Sequence, residues 1–183
     1  VVDTPYLIEK LEEEAAKEEP RKLRYVLRDL AVAENAFAYE YTGYLSNIHS
    51  VKAYFDANLD MLESHKFYKL FAPNQKVYTK VKNEEPTYYS DSSEVKLSQF
   101  ASGSIVRGKV ENSVISRNVD LSEGSSVSHS ILFPRVKVGK GATVEYAIVD
   151  KGVEIAEGVT IRGTENNPVV IKKGSVVTED IVR

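Results

Sequence analysis

Three stretches of the chain align at a constant step of 17 residues: SVISRNVDLSEGSSVSH from Ser113, SILFPRVKVGKGATVEY from Ser130 and AIVDKGVEIAEGVTIRG from Ala147. The same step links Val119, Val136 and Val153, then Leu121, Val138 and Ile155, then Gly124, Gly141 and Gly158. A fixed period of this kind marks a solenoid, in which each repeat buries its apolar residues only by stacking on its neighbours.

The period has a finer structure. Leu121, Val127, Leu132, Val138, Val144, Val149, Ile155 and Ile161 follow at steps of 5 or 6, and Ile115, Val110, Ile105, Phe100 and Val95 continue backwards at steps of 5. Each large residue has a partner two positions earlier, on the same side of a short strand. The partners form three columns: Ser125, Ala142 and Val159; Val119, Val136 and Val153; Ser113, Ser130 and Ala147. Three short strands per coil, each setting a small or branched residue beside a large one, fill a narrow triangular prism. Gly124, Gly141, Gly158 and Gly174 fall three residues after a large residue, where the chain must turn sharply. Residues 91–183 are therefore predicted to form a parallel β-helix of about five coils, with RGTENNPVVIKKGSVV interrupting the column between Ile161 and Ile171 as a protruding loop. The ends of such a prism present unpaired backbone, to be covered by a cap, another domain or another subunit.

The first part of the chain obeys other rules. Residues 1–64 read as helix, strand and helix. Thr4 is a candidate N-cap with Pro5 at the first helical position, and Leu7, Ile8, Leu11 and Ala15 share a face. A second helix is expected from Pro20 to Ala31, with Leu23, Val26, Leu27 and Leu30 inward. The alternation in AFAYEY, residues 36–41, suits a strand. Ser50 can cap a further helix whose inward stripe is Val51, Tyr54, Phe55, Asn58, Leu59 and Leu62. Residues 65–90, with Pro73, Asn74 and KVKNEEP, read as a connector.

The absence of cysteine excludes disulfides, thiol catalysis and Cys-ligated metals. No apolar run is long enough to span a membrane, and a net charge of −3 gives no electrostatic case for nucleic acid or an anionic membrane. A cytoplasmic protein is expected. The chain begins VVDTPYL, without Met, which suits a fragment.

Few residues offer chemistry. His129 sits in the repeat at the position matched by Asn112 and Tyr146, an outward or corner site; as a general base it would suit a hexapeptide acyltransferase, though the solenoid lacks a long insertion to shape a substrate site. His65 follows an expected helix end, where a cation suits the macrodipole. GKGAT lies in the repeat, without the strand–loop–helix context of a phosphate loop. No His/Asp/Glu cluster has metal-ligand spacing.

The order YEYTGYLSNIHSVKAYFDANLDML, connector, hexapeptide solenoid resembles the C-terminal part of bacterial glucose-1-phosphate adenylyltransferase (ADP-glucose pyrophosphorylase), most closely the GlgD-type subunits of glycogen biosynthesis. The resemblance spans essentially the whole chain and is most specific in GYLSNIHSVKAYFDANLDML and VENSVISRNVDLSEGSSVSHSIL. It implies a left-handed β-helix preceded by the α/β remnant of a nucleotidyltransferase domain. In catalytic members the loop reads approximately G-Y-W-x-D-V-G-T, and its Asp helps to hold Mg²⁺. This chain has Leu45, Asn47 and His49 where Trp, Asp and Gly are expected. An Asn amide offers an oxygen without the charge that holds Mg²⁺ at a triphosphate.

The family's Gly-rich nucleotide motif cannot be matched here, so the chain is not expected to catalyse alone or to carry a cofactor. Mg²⁺ belongs to the parent enzyme. The resemblance further implies a catalytic adenylyltransferase subunit as partner in a hetero-oligomer, a tetramer, or self-association through the solenoid. Lys172, beside Lys173, matches a basic effector or phosphate position, and Arg135 is a second candidate; Glu145 stands where relatives often carry a basic residue. Three functions stay open: a regulatory, catalytically impaired subunit, a fragment of an active adenylyltransferase, and an acyltransferase using His129.

Overall fold

In the computed structural model, which describes residues 2–33, 36–71 and 77–183, the short strands of the repeat pair with strands one coil away and never with their neighbours in sequence. Three parallel walls result. The first wall contains Tyr88–Tyr89, Ile105–Val106, Asp120–Leu121, Lys137–Val138, Glu154–Ile155 and Val176–Val177. The second contains Glu94–Lys96, Lys109–Glu111, Ser126–Ser128, Thr143–Glu145, Thr160–Arg162 and Ile181–Val182. The third contains Gln99–Phe100, Val114–Ile115, Ile131–Leu132, Ala147–Val149 and Val169–Ile171. The predicted parallel β-helix is the fold observed.

Its interior holds the predicted columns. Leu121, Val138 and Ile155, Val127, Val144 and Ile161, and Leu132 and Val149 are all buried, as are their partners two positions earlier. One expectation fails. Val106, not Ile105, faces inward, because Val106 pairs with Leu121 and Ile105 with Asp120. The turn after Val106 is shorter than the even spacing assumed, and Gly108 permits it: a Cβ there would lie 2.3 Å from the Ser125 carbonyl oxygen. Val95, at the first coil, is 42% exposed, since no coil precedes it in the second wall.

Each corner has its own solution. Between the first and second walls, Gly124, Gly141 and Gly158 take φ of +71°, +67° and +70°, the left-handed region that only glycine enters freely. Gly174 belongs elsewhere, to the third-to-first corner with Gly103, Asn118, Arg135 and Gly152. Between the second and third walls, Leu97, Asn112, His129 and Tyr146 all have positive φ. Just beyond this corner runs a buried hydroxyl ladder. The Ser130 hydroxyl donates to the Ser128 carbonyl at 2.7 Å and accepts from the Ala147 amide at 3.1 Å, and Ser113 does the same one coil earlier. These serines are buried because their hydroxyls close the corner and join the coils.

The outer faces of the walls differ. On the first and second, ion pairs step from coil to coil: Arg107–Asp120, Lys137–Glu154, Lys96–Glu111 and Arg162–Glu145. On the third, the outward column is Gln99, Val114, Ile131, Ile148 and Val170. Helix α3 (Val51–Leu59) covers Ile131 and Ile148 of this column: Phe55, 1% exposed, packs with them and with Tyr54, Leu59, Phe133 and Tyr146 at the margin. Ser50 caps α3 as predicted, accepting from the Ala53 amide at 3.1 Å. A 3-10 turn (Asp60–Leu62) leads into α4 (Ser64–Leu70). His65 thus lies in the first turn of α4 rather than beyond a helix end, 3.7 Å from Glu63 Oε2. The first part of the expected connector is α4, the first wall begins at Tyr88, and Pro73 and Asn74 lie outside the described residues.

The chain divides into two compact units, Val1–Thr42 and Gly43–Arg183. The first contains α1 (Thr4–Ala15) and α2 (Leu23–Ala33). Asp3, rather than Thr4, caps α1, accepting from the Tyr6 amide at 3.1 Å with Pro5 in the first turn. α2 starts at Leu23, not Pro20, and only Val26 of its expected stripe is fully buried. Buried Glu14 accepts from the Arg21 backbone amide and guanidinium, which in turn reaches Asp29 on α2. The Arg21 guanidinium, helped by Lys17, holds the Glu14 carboxyl well below the usual carboxylate range. AFAYEY is not a strand. Among the described residues no strand pairs with it, and Phe37 and Tyr39 are 96% and 88% exposed. Alternation prepares a strand; a neighbour's hydrogen bonds make one.

Truncating Phe55→Ala removes the side chain that seals the third wall and is expected to cost about 3–5 kcal/mol in denaturant unfolding. A loss below about 1 kcal/mol would mean that α3 does not depend on this contact. The depressed Glu14 carboxyl stabilises the first unit above the ordinary Glu value of about 4.3, and that contribution is lost as pH falls towards the folded value. Hydrogen exchange in α1 and α2, corrected for intrinsic rate, should therefore accelerate below about pH 4 in the wild type and change less in Glu14→Gln.

Candidate functional site

Residues 43–50 run from the end of the strand-like segment to the cap of α3 and are exposed, apart from half-buried Tyr44. The loop is anchored at both ends. The Tyr44 hydroxyl donates to Asp60 Oδ2 at 3.0 Å, and Lys66 holds the other Asp60 oxygen at 2.6 Å. Burial, then the Asp60 carboxylate, pushes the Tyr44 phenol up. At the far end Ile48, His49, Ser50, Val51 and Tyr54 form a shallow groove of about 400 Å³ with Ile148 and Val170 of the third wall.

These residues do not suit Mg²⁺. Asn47 is exposed, its backbone carbonyl accepts from the His49 amide at 3.1 Å, and His49 Nδ1 lies 3.0 Å from that same carbonyl. The loop carries no carboxylate, and Asp60 is engaged by Tyr44 and Lys66. Among the described residues no group of three or more His, Asp or Glu is placed to hold a metal ion. None forms a Gly-rich strand–loop–helix for nucleotide phosphates, and no helix is long and apolar enough to cross a membrane.

Lys172 and Arg135 fall on one edge. The third-to-first corner stacks Asn118, Arg135, Gly152 and Gly174, with the Gly152 amide donating to the Pro134 carbonyl at 3.0 Å and the Gly174 amide to the Lys151 carbonyl at 2.9 Å. Lys172 and Lys173 immediately precede Gly174, Lys151 precedes Gly152, and Arg117 precedes Asn118. The edge therefore carries Arg117, Arg135, Lys151, Lys172 and Lys173. Arg117 is 3.5 Å from Glu84; none of the other four makes an ion pair among the described residues. Arg135 has φ of +63° where its column mates are glycine or asparagine. A bulky side chain held in that region costs about 1–2 kcal/mol, and such strain concentrates where a side chain is wanted for function. Glu145 lies on the second wall, paired to Arg162 Nε at 2.7 Å, and does not join this edge.

His129 occupies the second-to-third corner. Its Nε2 lies 3.2 Å from Asn112 Nδ2, its ring stacks on Tyr146 at 4.8 Å, and its Nδ1 is buried without a partner among the described residues. Among the described residues no carboxylate hydrogen-bonds the ring to orient it as a general base. Sequence reasoning matched Asn112, His129 and Tyr146 by position but missed that they touch; the shared step of 17 was the available signal.

Residues 83–182 match the family described as "GlmU-like, C-terminal hexapeptide". The chain is similar to the glycogen biosynthesis protein GlgD of Bacillus subtilis, 40% identical over 77% of the chain and 41% of that relative, and to that of Geobacillus stearothermophilus, 53% identical over 69% of the chain and 37% of the relative. It is also similar to the glucose-1-phosphate adenylyltransferase of Mycoplasma mobile, 31% identical over 57% of the chain and 27% of the relative. The chain spans about two-fifths of the length of the GlgD relatives it matches.

If Arg135 is kept against backbone strain, Arg135→Gly should not destabilise the solenoid. Relief of about 1–2 kcal/mol, less the entropy cost of glycine at roughly 0.5–1 kcal/mol, leaves a stability gain between zero and about 1.5 kcal/mol. A loss in thermal unfolding would show that the Arg135 side chain supports the fold itself.

Proposed function

The chain belongs to the GlmU-like C-terminal hexapeptide family, and from that premise we propose that it is the C-terminal part of a GlgD-type subunit acting in glycogen biosynthesis. In this reading the solenoid serves assembly with a catalytic glucose-1-phosphate adenylyltransferase subunit, in a hetero-oligomer in the cytoplasm, and takes part in allosteric control of ADP-glucose synthesis. Residues 1–64 are then the end of the nucleotidyltransferase domain, with 65–90 as connector and the β-helix from 91, wound left-handed. The observation that carries the reading is the loop at Asn47, which keeps the frame of a metal-binding loop without its charge, on a chain resembling GlgD over most of its length.

The structure offers this reading a physical route for control. Val170 lines the same groove as Ile48 to Val51, and Lys172 lies two residues further along the same strand end. An anion drawn to the basic edge at Lys172, with Arg135 two coils away, would act on the coil against which the loop rests. Strands one coil apart are separated by about 4.8 Å, so a phosphate-bearing effector would span roughly 10 Å across two coils. Arg135, Lys151, Lys172 and Lys173 make no ion pair among the described residues, which supports an anionic ligand.

The test uses the full-length protein and its catalytic partner. The two should co-purify, and the full-length protein alone should show no ADP-glucose synthesis with ATP, Mg²⁺ and glucose 1-phosphate. It should change the partner's kinetics, and Lys172→Ala should reduce any phosphate effect on them. Full synthesis by the unpartnered protein would replace this reading with that of an active adenylyltransferase.

A further inference from the structure

Each corner on the basic edge is held by the coil before it. The Arg135 amide donates to the Arg117 carbonyl at 3.0 Å, the Asn118 amide to the Ser102 carbonyl at 3.2 Å, and the Gly103 amide to the Glu85 carbonyl at 2.6 Å. Glu85 therefore stands where a preceding coil would stand, and the chain enters the solenoid along this edge. From there it is well tied: the Thr87 hydroxyl donates to the Ala101 carbonyl and the Tyr88 amide to the Ser104 carbonyl, both at 2.8 Å. Before Glu84 it is not. Residues 77–83 are all exposed, and among the described residues none of them makes a backbone–backbone hydrogen bond. Glu84 is the first side chain of this segment to dock.

It docks on a cation, and it docks poorly. The Glu84 side chain is 19% exposed, and its Oε2 is buried 3.5 Å from Arg117 Nε with no hydrogen-bond donor among the described residues. Charge-assisted N–H to carboxylate bonds run at about 2.7–2.9 Å. The other oxygen fares little better, accepting from Asn118 Nδ2 at 3.4 Å. Buried polar atoms are nearly always satisfied, and a carboxylate oxygen left without a donor forfeits its hydration for nothing. Arg117, by contrast, keeps 34% of its side chain exposed and makes no other ion pair among the described residues. Exposed Arg135 follows it on the next coil. An anion in solution thus has access to the same guanidinium that Glu84 holds at long range.

We propose that Glu84 is a tethered anion at the start of the basic edge, and that an oxyanion binding at Arg117 and Arg135 displaces it and so unlatches the segment leading into the solenoid. Two anions compete for one guanidinium. The tethered one is always at hand, which keeps the latch closed when the edge is empty. The free one brings several oxygens to the Arg117 fork and to Arg135 together, whereas Glu84 makes no short bond to either. Once displaced, the Glu84 carboxylate regains water. A ligand that binds the open state draws the population towards it, and its apparent affinity is lowered by the closed fraction. The latch rests on the reading of this edge as an anion site and adds the element that the anion moves.

The test is a sulfate titration of the full chain, labelled with ¹⁵N, at constant ionic strength. It is read at the Nε–H groups of Arg117 and Arg135 and, by hydrogen exchange, at the Gly103 amide. Sulfate should shift both arginines saturably and speed exchange at Gly103. A latch closed about nine-tenths of the time weakens anion binding about tenfold, so Glu84→Gln should tighten sulfate binding by about that factor and leave Gly103 exchange fast with or without sulfate. Glu85→Gln removes an equal charge one residue away, on a side chain that makes no ion pair among the described residues. It should change the affinity less than about twofold, since exposed charges are screened. Equal affinity in the wild type and Glu84→Gln, an equal gain in Glu85→Gln, or a shift at Arg135 without one at Arg117 would overturn the latch and leave the edge an anion site. No saturable shift at either arginine in any of the three chains would overturn the anion reading of the edge and the latch with it.

Discussion

The third wall of the β-helix is apolar on both sides, and the helical segment rests on its outer side. A β-helix needs only one apolar residue per strand position, facing in. On the first two walls the outward positions go to ion pairs that step from coil to coil, Lys137 to Glu154 and Glu145 to Arg162. On the third they go to Val114, Ile131 and Ile148, residues that would stand in water if nothing covered them. α3 covers Ile131 and Ile148 with Phe55, and burial of side chains of this size contributes roughly 1.5–3 kcal/mol each. The loop at 43–50 and the groove at Val170 owe their positions to that docking.

Corners are the second constraint. Each coil must turn three times in a few residues, and many of these turns use left-handed backbone. Glycine and asparagine fill most such positions, so the exceptions are informative. Arg135 stands in the corner beside Lys172 and Lys173, on an edge rich in cations. His129 and Tyr146 stand in another, stacked ring on ring. In both places a side chain is held on left-handed backbone.

Much of this was legible in the sequence, for a physical reason. The interior of a solenoid repeats exactly as the chain does, so the columns headed by Leu121, Val127 and Leu132 could be read by counting. Counting failed at Ile105, where a tight approach at Gly108 shortens a corner without changing composition. It failed at AFAYEY because strand pairing is a property of two segments. The apolar outer face of the third wall was present in the letters Val114, Ile131, Ile148 and Val170, yet a period alone does not say which wall a helix will cover. The loop at Asn47 was legible as chemistry, since a missing charge is visible in sequence; the contact of Glu84 with Arg117 was not, because it joins the connector to a later coil.

The account turns on the outward face of the third wall as the seat of α3. Hydrogen exchange on the chain carrying Ile148→Asp tests that directly, because it places a charge on the covered face and leaves the interior columns intact. The account predicts that amides of Val51–Leu62 lose protection while those of the inner strands at Ile115, Leu132 and Val149 keep theirs. Undiminished protection across Val51–Leu62 would contradict it.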